Sequence, residues 1–232
     1  MSAPGWDNVS VALFAILLAS AVRADQITYV NDEGDDVKVE ARIVGSGQGA
    51  HALELDDGML RIIPQGAVKE RKPGDGPVPA TSTEMIRRLT ERFGTERFRT
   101  DEEKPFVVGL VLAAPLPKSA EVRVRGFLRK ASKFMKNVEG TFEDFARSAR
   151  IDIEPTRFPL VLLIFESDDD FEKYAEESTG GKGLSAGNIA GFYSGLTNWL
   201  AIRLSECHTF QVPLHEAIHQ QVYNRGLFQR LA

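Results

Sequence analysis

Pro213-Leu214-His215-Glu216-Ala217-Ile218-His219-Gln220, near the C-terminal end of a 232-residue chain, is the stretch on which the fold turns. As a helix it places His215 and His219 on one face over adjacent turns, where two imidazoles can close on one zinc ion. Glu216 then sits one residue round from the first histidine. Its carboxylate can reach a water on the metal without being a ligand, which is the geometry of a general base. Pro213 suits the first turn, where its missing N–H has no intrahelical partner to lose. The pattern runs on through Gln221, Val222 and Tyr223 to a stop near Gly226. The plainer alternative is an exposed helix whose His and Glu face solvent, so the segments before the motif decide between the two.

Working back from the motif, Ile189 to Tyr193 and Trp199 to Leu204 read as two strands joined by a turn at Ser194-Gly195-Leu196-Thr197-Asn198. Leu160 to Phe165 is a buried strand. Ser167 with Asp170 caps a helix that carries Phe171 and Tyr174 and ends at Gly180 and Gly181. The acids Asp168 to Asp170 complement the dipole of that first turn and need no cation. Lys118 to Arg150 predicts a long helix with Val124, Phe127, Leu128, Ala131, Phe134, Met135, Val138, Phe142 and Phe145 on one core-facing stripe, and Gly140 is a candidate kink. Its far side, with Arg123, Arg129, Lys133 and Lys136, is a solvated face. Phe106 to Ala114 is a continuous apolar strand, buried on both sides. Thr81 with Glu84 forms a capping box for a helix through Phe93, with Met85, Leu89 and Phe93 inward.

Arg71 to Thr81 holds Pro73, Gly74, Gly76, Pro77 and Pro79, a linker composition that puts a domain boundary near Pro77. In front of it, residues 25–72 alternate apolar and polar. Val37, Val39 and Ala41 are spaced by two, as are Leu53 with Leu55 and Leu60 with Ile62, with Asp57-Gly58 as a hairpin turn and Gly45, Gly47 and Gly49 marking another. A small antiparallel module of four or five strands follows. Val9 to Val22 is apolar but short for a bilayer span, and Ala24 suits a cleavage site, so residues 1–24 read as a signal peptide and the protein as secreted or periplasmic. The segment before that run lacks Lys and Arg.

A net charge of −5 with interspersed signs leaves no basic stripe for nucleic acid and no polybasic patch for a membrane, and no stable span is expected after signal cleavage. With 43% hydrophobic residues the chain has ample material for a core. Cys207 is the only cysteine, which excludes an internal disulfide and reads as a buried thiol. His51 reads as a surface or hydrogen-bonded histidine.

The order helix, strand, long helix, strand, helix, strand pair and motif helix resembles the N-terminal half of the zincin metallopeptidase fold. Gly191-Phe192-Tyr193 followed by Leu214-His215-Glu216-Ala217-Ile218-His219-Gln220 is similar to secreted bacterial gluzincin-like metallopeptidases, a likeness that covers roughly Phe106 to the C-terminus. The resemblance implies an α+β chain in which a small N-terminal antiparallel β module precedes a zincin-like α/β domain over residues 82–232. It implies zinc on His215 and His219, Glu216 as the catalytic base, and Gly191, Phe192 and Tyr193 as an edge strand that pairs with an extended peptide or protein substrate. Gluzincins draw their third ligand from a glutamate on a later helix, whereas residues 220–232 contain no Asp, Glu, His or Cys. The expectation is therefore the first half of a peptidase site, inactive as this isolated chain, with Glu206, Cys207 and His208 the nearest upstream donors. The alternative is a non-catalytic exported binding protein whose motif is vestigial or coincidental.

Overall fold

The computed structural model describes residues 25–74, 77–179 and 189–227, so the signal-peptide expectation for residues 1–24 and the glycines Gly180 and Gly181 lie outside the described residues. It shows an α+β chain with two five-stranded sheets. The first holds β1 (Asp25–Val30), β2 (Asp36–Gly47), β3 (Ala50–Glu54), β4 (Leu60–Pro64) and β5 (Val68–Pro73) in the order β4-β3-β2-β1-β5, antiparallel throughout. Ile27, Tyr29, Ala41, Leu53 and Ile63 form its own small core. The expected turn of glycines narrows to Gln48 and Gly49, both at positive φ, while Gly45 lies within β2 beside an irregularity in register.

One detail of the strand pattern is corrected. Leu60 and Ile62 share a face, as their spacing predicts, but that face is the outer one: Ile62 is 49% exposed and Ile63 enters the core. Leu60 is buried because this end of the hairpin packs on the other half of the molecule, where its N–H donates to Leu196 O at 2.6 Å.

The second sheet is built from β6 (Phe98–Glu103), β7 (Phe106–Val111), β8 (Leu160–Phe165), β9 (Gly191–Tyr193) and β10 (Trp199–Arg203), ordered β6-β7-β8-β10-β9. The three central strands β7, β8 and β10 are parallel, and β6 and β9 are antiparallel edges. Helices α1 (Ser82–Phe93), α2 (Glu121–Ala149), α3 (Asp168–Thr179) and α4 (Gln211–Asn224) are the α-helices among the described residues. Alternation along the strands assigns the layers. Phe106, Val108, Leu110, Leu160, Leu162, Ile164, Leu200 and Ile202 point to the face covered by α2 and α4. Val107, Val111, Val161, Leu163, Phe165, Trp199 and Ala201 point to the face covered by α1 and α3. Strands that are buried on both faces must read as continuous apolar runs, and these do. Each such side chain contributes about 1.5–3 kcal/mol on burial.

Thr81 Oγ1 accepts from Glu84 N at 3.2 Å, so α1 begins at the expected cap. The acids at the start of α3 are held by basic groups, Asp168 by Arg203 and Asp170 by Arg97, with Asp170 N also donating to Ser167 Oγ at 3.3 Å. The helix α2 passes through Gly140 without a break. One expectation for α2 does not hold: Phe145 is 62% exposed while Ala146 is buried. On a helix of 100° per residue Phe145 lies about 60° from the centre of the stripe. Phe127 and Phe134 share that flank and are only partly buried, and toward the C-terminal end it is exposed at Phe145. Strand β6 is an addition to the sequence-based order. Among the described residues no helix is long and apolar enough to cross a membrane.

Candidate metal centre

Helix α4 starts after Phe210, which sits at φ 53 and stacks on Phe134 of α2 with ring centroids 4.6 Å apart. Pro213 is its third residue, within the first turn, and the helix ends where Arg225 N donates to Gln221 O and Gly226 adopts φ 77. The face toward the sheet carries Pro213, Ala217, Gln220 and Gln221. Ala217, fully buried, lets the helix axis approach closely. Gln220 anchors it, donating through Nε2 to Val161 O at 3.1 Å and Asn198 O at 3.3 Å. A buried glutamine in a helix that packs on a sheet otherwise costs free energy, and these bonds to strand carbonyls offset much of it.

The opposite side presents the motif. His215 and His219 are exposed, and their Nε2 atoms lie 3.2 Å apart with the rings at 77°. Two nitrogens bound to one tetrahedral zinc at ordinary bond lengths are about 3.3 Å apart. The pair therefore has the separation that a shared ion requires; without the ion, the same distance accommodates an N–H···N bond between one neutral donor ring and one acceptor ring. Glu216, between them on the helix and half-buried, accepts a hydrogen bond through Oε2 from Tyr193 N at 2.9 Å.

That bond joins the motif to β9. Ser194 N donates to Trp199 O and Arg203 N to Ala190 O, so alternate residues of the strand face β10, and the main-chain groups of Gly191 and Tyr193 turn to the outer edge. The three residues expected at a substrate edge thus separate. Tyr193 meets the motif directly. Gly191 lies against the first turn of α4, where a Cβ would come within 2.3 Å of Ile202 Cδ1 and 3.2 Å of Val212 Cγ1. Phe192 points its ring the other way, into the α1/α3 core beside Phe171 and Tyr174, and does not face the motif.

Several residues around the site had no motif to announce them. Tyr223, one turn beyond His219, stacks on Tyr193 with centroids 5.6 Å apart and planes at 19°. Asn198, at φ 61, exchanges two amide hydrogen bonds with Asn224, at 3.0 and 2.7 Å, and accepts from Tyr193 Oη at 2.8 Å. Gln221 is fully buried and orients Arg225 by accepting from its Nε at 3.2 Å. The one available signal was the turn position of Asn198, since asparagine is enriched at positive φ.

The upstream donors do not join the pair. Among the described residues no group of three or more His, Cys, Asp or Glu side chains is placed to hold a metal. Cys207, in a 3-10 turn over Leu204–His208, is 4% exposed with Sγ 3.7 Å from Arg203 O. Burial, reinforced by Glu206, pushes its thiol up to about 12. The native protein at pH 8 is accordingly expected to leave Cys207 unmodified by a thiol reagent that labels it at once in denaturant, as an absorbance assay would register. His51 is satisfied within the first sheet, its Nδ1 2.7 Å from Ser46 Oγ.

Comparison of the chain with protein-family models, with curated proteins and with solved structures finds no match.

Proposed function

We propose that this chain carries the two-histidine and general-base portion of a zinc-dependent peptidase site, on a zincin-like domain that acts outside the cytoplasm. The observation that carries the proposal is the pairing of the two histidines, with Glu216 next to His215 in the helix. His215 and His219 present paired Nε2 atoms at 3.2 Å, and Glu216 is held by the backbone of an edge strand. Zinc bound there would polarise a scissile carbonyl and lower the pKa of a bound water. His215 and His219 supply two of the three protein ligands that a catalytic zinc takes, and the proposal includes one further donor from outside the described residues. With Oε2 occupied by Tyr193 N–H, Glu216 keeps Oε1 to accept a proton and return it to the leaving amine. The outer edge of β9 at Gly191 aligns an extended peptide by main-chain hydrogen bonds, the Tyr193 N–H being held by Glu216, and the Tyr193–Tyr223 stack walls one side of it.

The test is cleavage of an unstructured protein substrate by the zinc-loaded chain, followed by fragment analysis. This isolated chain, with two ligands, is expected to leave the substrate intact; with a third zinc donor supplied, hydrolysis abolished by a chelator and restored by added zinc is the expected result. A second reading, a non-catalytic exported binding protein, is favoured by one observation, that only two donors converge among the described residues. Zinc-saturated protein that leaves the substrate intact even with a third donor supplied would decide for it.

A further inference from the structure

The first sheet docks on the turn between β9 and β10 through its β3–β4 hairpin. Leu60 N donates to Leu196 O at 2.6 Å, and Gly58, at φ 79, lies so close that a Cβ there would be 2.7 Å from the Phe158 ring and 2.8 Å from Asn198 Nδ2. Arg88 of α1 grips the same hairpin with a bidentate pair to Asp56 at 2.9 and 2.6 Å, and Arg157 reaches Glu54 at 2.9 Å. The hairpin thus leaves no room for a side chain at Gly58, where one would collide with the Phe158 ring and the Asn198 amide.

Asn198 is also fixed from its other sides. Its N–H donates to Ser194 O at 2.8 Å, its carbonyl accepts from Gln220 Nε2, and its amide pairs with Asn224 at the end of α4. The same amide oxygen takes the phenol of Tyr193, whose own N–H goes to Glu216. Gly58 thus packs next to Asn198, and hydrogen bonds link Asn198 to Tyr193 and Tyr193 to Glu216, which connects the hairpin to the carboxylate. We propose that the first sheet is a working part of the motif site. Its hairpin braces the Asn198–Asn224 pair, and Asn198 and Tyr193 are positioning residues that fix where the Glu216 carboxylate sits. The proposal deepens the reading of Glu216 as the proton-accepting group and rests on it for its functional meaning.

Two glycines in one sheet provide a matched test. Gly58→Ala and Gly34→Ala both place alanine at positive φ, 79 and 90, but nothing lies within 4 Å of a Cβ at Gly34. Backbone strain is common to both, and only Gly58→Ala disturbs the contact with Asn198. Asn198→Gly supplies the second arm, since glycine accepts φ 61 without strain and removes only the amide. The readout is hydrogen exchange at the Tyr193 amide by NMR, referenced to the amides of β8 to correct for global stability, with Glu216→Ala marking the value for an absent acceptor. Asn198→Gly and Gly58→Ala are expected to lower the relative protection of Tyr193 about tenfold, the size of one lost hydrogen bond, and Gly34→Ala to leave it within about twofold. Unchanged protection in Asn198→Gly, or equal loss in the two glycine variants, would overturn the proposal. Should Gly58→Ala fail to fold, Asn198→Gly decides alone. Cobalt(II) titration of the wild-type chain, followed by its visible absorption, separates the two levels: no binding would refute the metal reading and leave the Tyr193 result standing.

Discussion

With a third zinc donor supplied, Glu216→Gln is expected to lower zinc-dependent hydrolysis by about 10²–10⁴-fold, the usual contribution of a positioned general base. Glutamine is close in shape and keeps an oxygen to accept the Tyr193 N–H, so α4 and β9 should stay joined as they are. What it cannot do is take a proton. Because Glu216 is not assigned as a ligand, zinc affinity should stay within about twofold of wild type, which separates this variant from the histidine variants. Steady-state kcat/KM on a peptide substrate, with calorimetric zinc titration of the same samples, checks both halves. Wild-type hydrolysis in Glu216→Gln would remove the carboxylate from the chemistry, and a collapse of zinc affinity would make it a ligand instead.

Arg225→Ala is expected to destabilise the fold by about 3–5 kcal/mol, because it breaks a buried ion pair by removing one partner. Arg225 is 6% exposed and Glu139 5% exposed. One guanidinium nitrogen sits 2.7 Å from both Glu139 Oε1 and Glu143 Oε1, while the others reach Glu154 O and Gln221 Oε1, each at 3.2 Å. This cluster ties the end of the motif helix to the middle of α2. Alanine would leave Glu139 buried with Lys136 as its remaining cation. Urea unfolding measures the loss. Arg147→Ala, which breaks a pair with Asp144 whose side chains are both 75% exposed, should cost no more than about 0.5 kcal/mol. Replacing Arg225 and Glu139 together by methionine should recover much of the loss, since apolar contacts then stand where charges were desolvated. Equal effects of Arg225→Ala and Arg147→Ala would show that the buried cluster carries no special weight.

The helix α4, the buried strands β7 and β8 and the capping of α1 and α3 were legible because each is set by local sequence. Apolar runs, a Ser or Thr three residues before an acid, and a proline ahead of a periodic stretch act within one element. Strand β6 was not legible: Phe98-Arg99-Thr100-Asp101-Glu102-Glu103 has one buried apolar residue and forms because β7 offers it an edge. The outward turn of Phe145 and the burial of Leu60 are likewise tertiary, decided by where neighbouring elements stop or dock. The same division holds at the site. The histidines and Glu216 share one helical repeat, and a short motif announces them. The groups that hold them come from elsewhere: Asn198 and Asn224 are 26 residues apart, and Arg225 and Glu139 are 86 apart. The role of Gln221 is likewise tertiary, since it is the acceptor beside Arg225.

Zinc titration of the chain and of its four single histidine variants tests the central claim most directly, because His51, His208, His215 and His219 are all the histidines it has. The account predicts one zinc per chain, with binding lost in His215→Ala and in His219→Ala and unchanged in His51→Ala and His208→Ala. Absence of zinc binding by the wild type, or binding that survives His215→Ala, would contradict it.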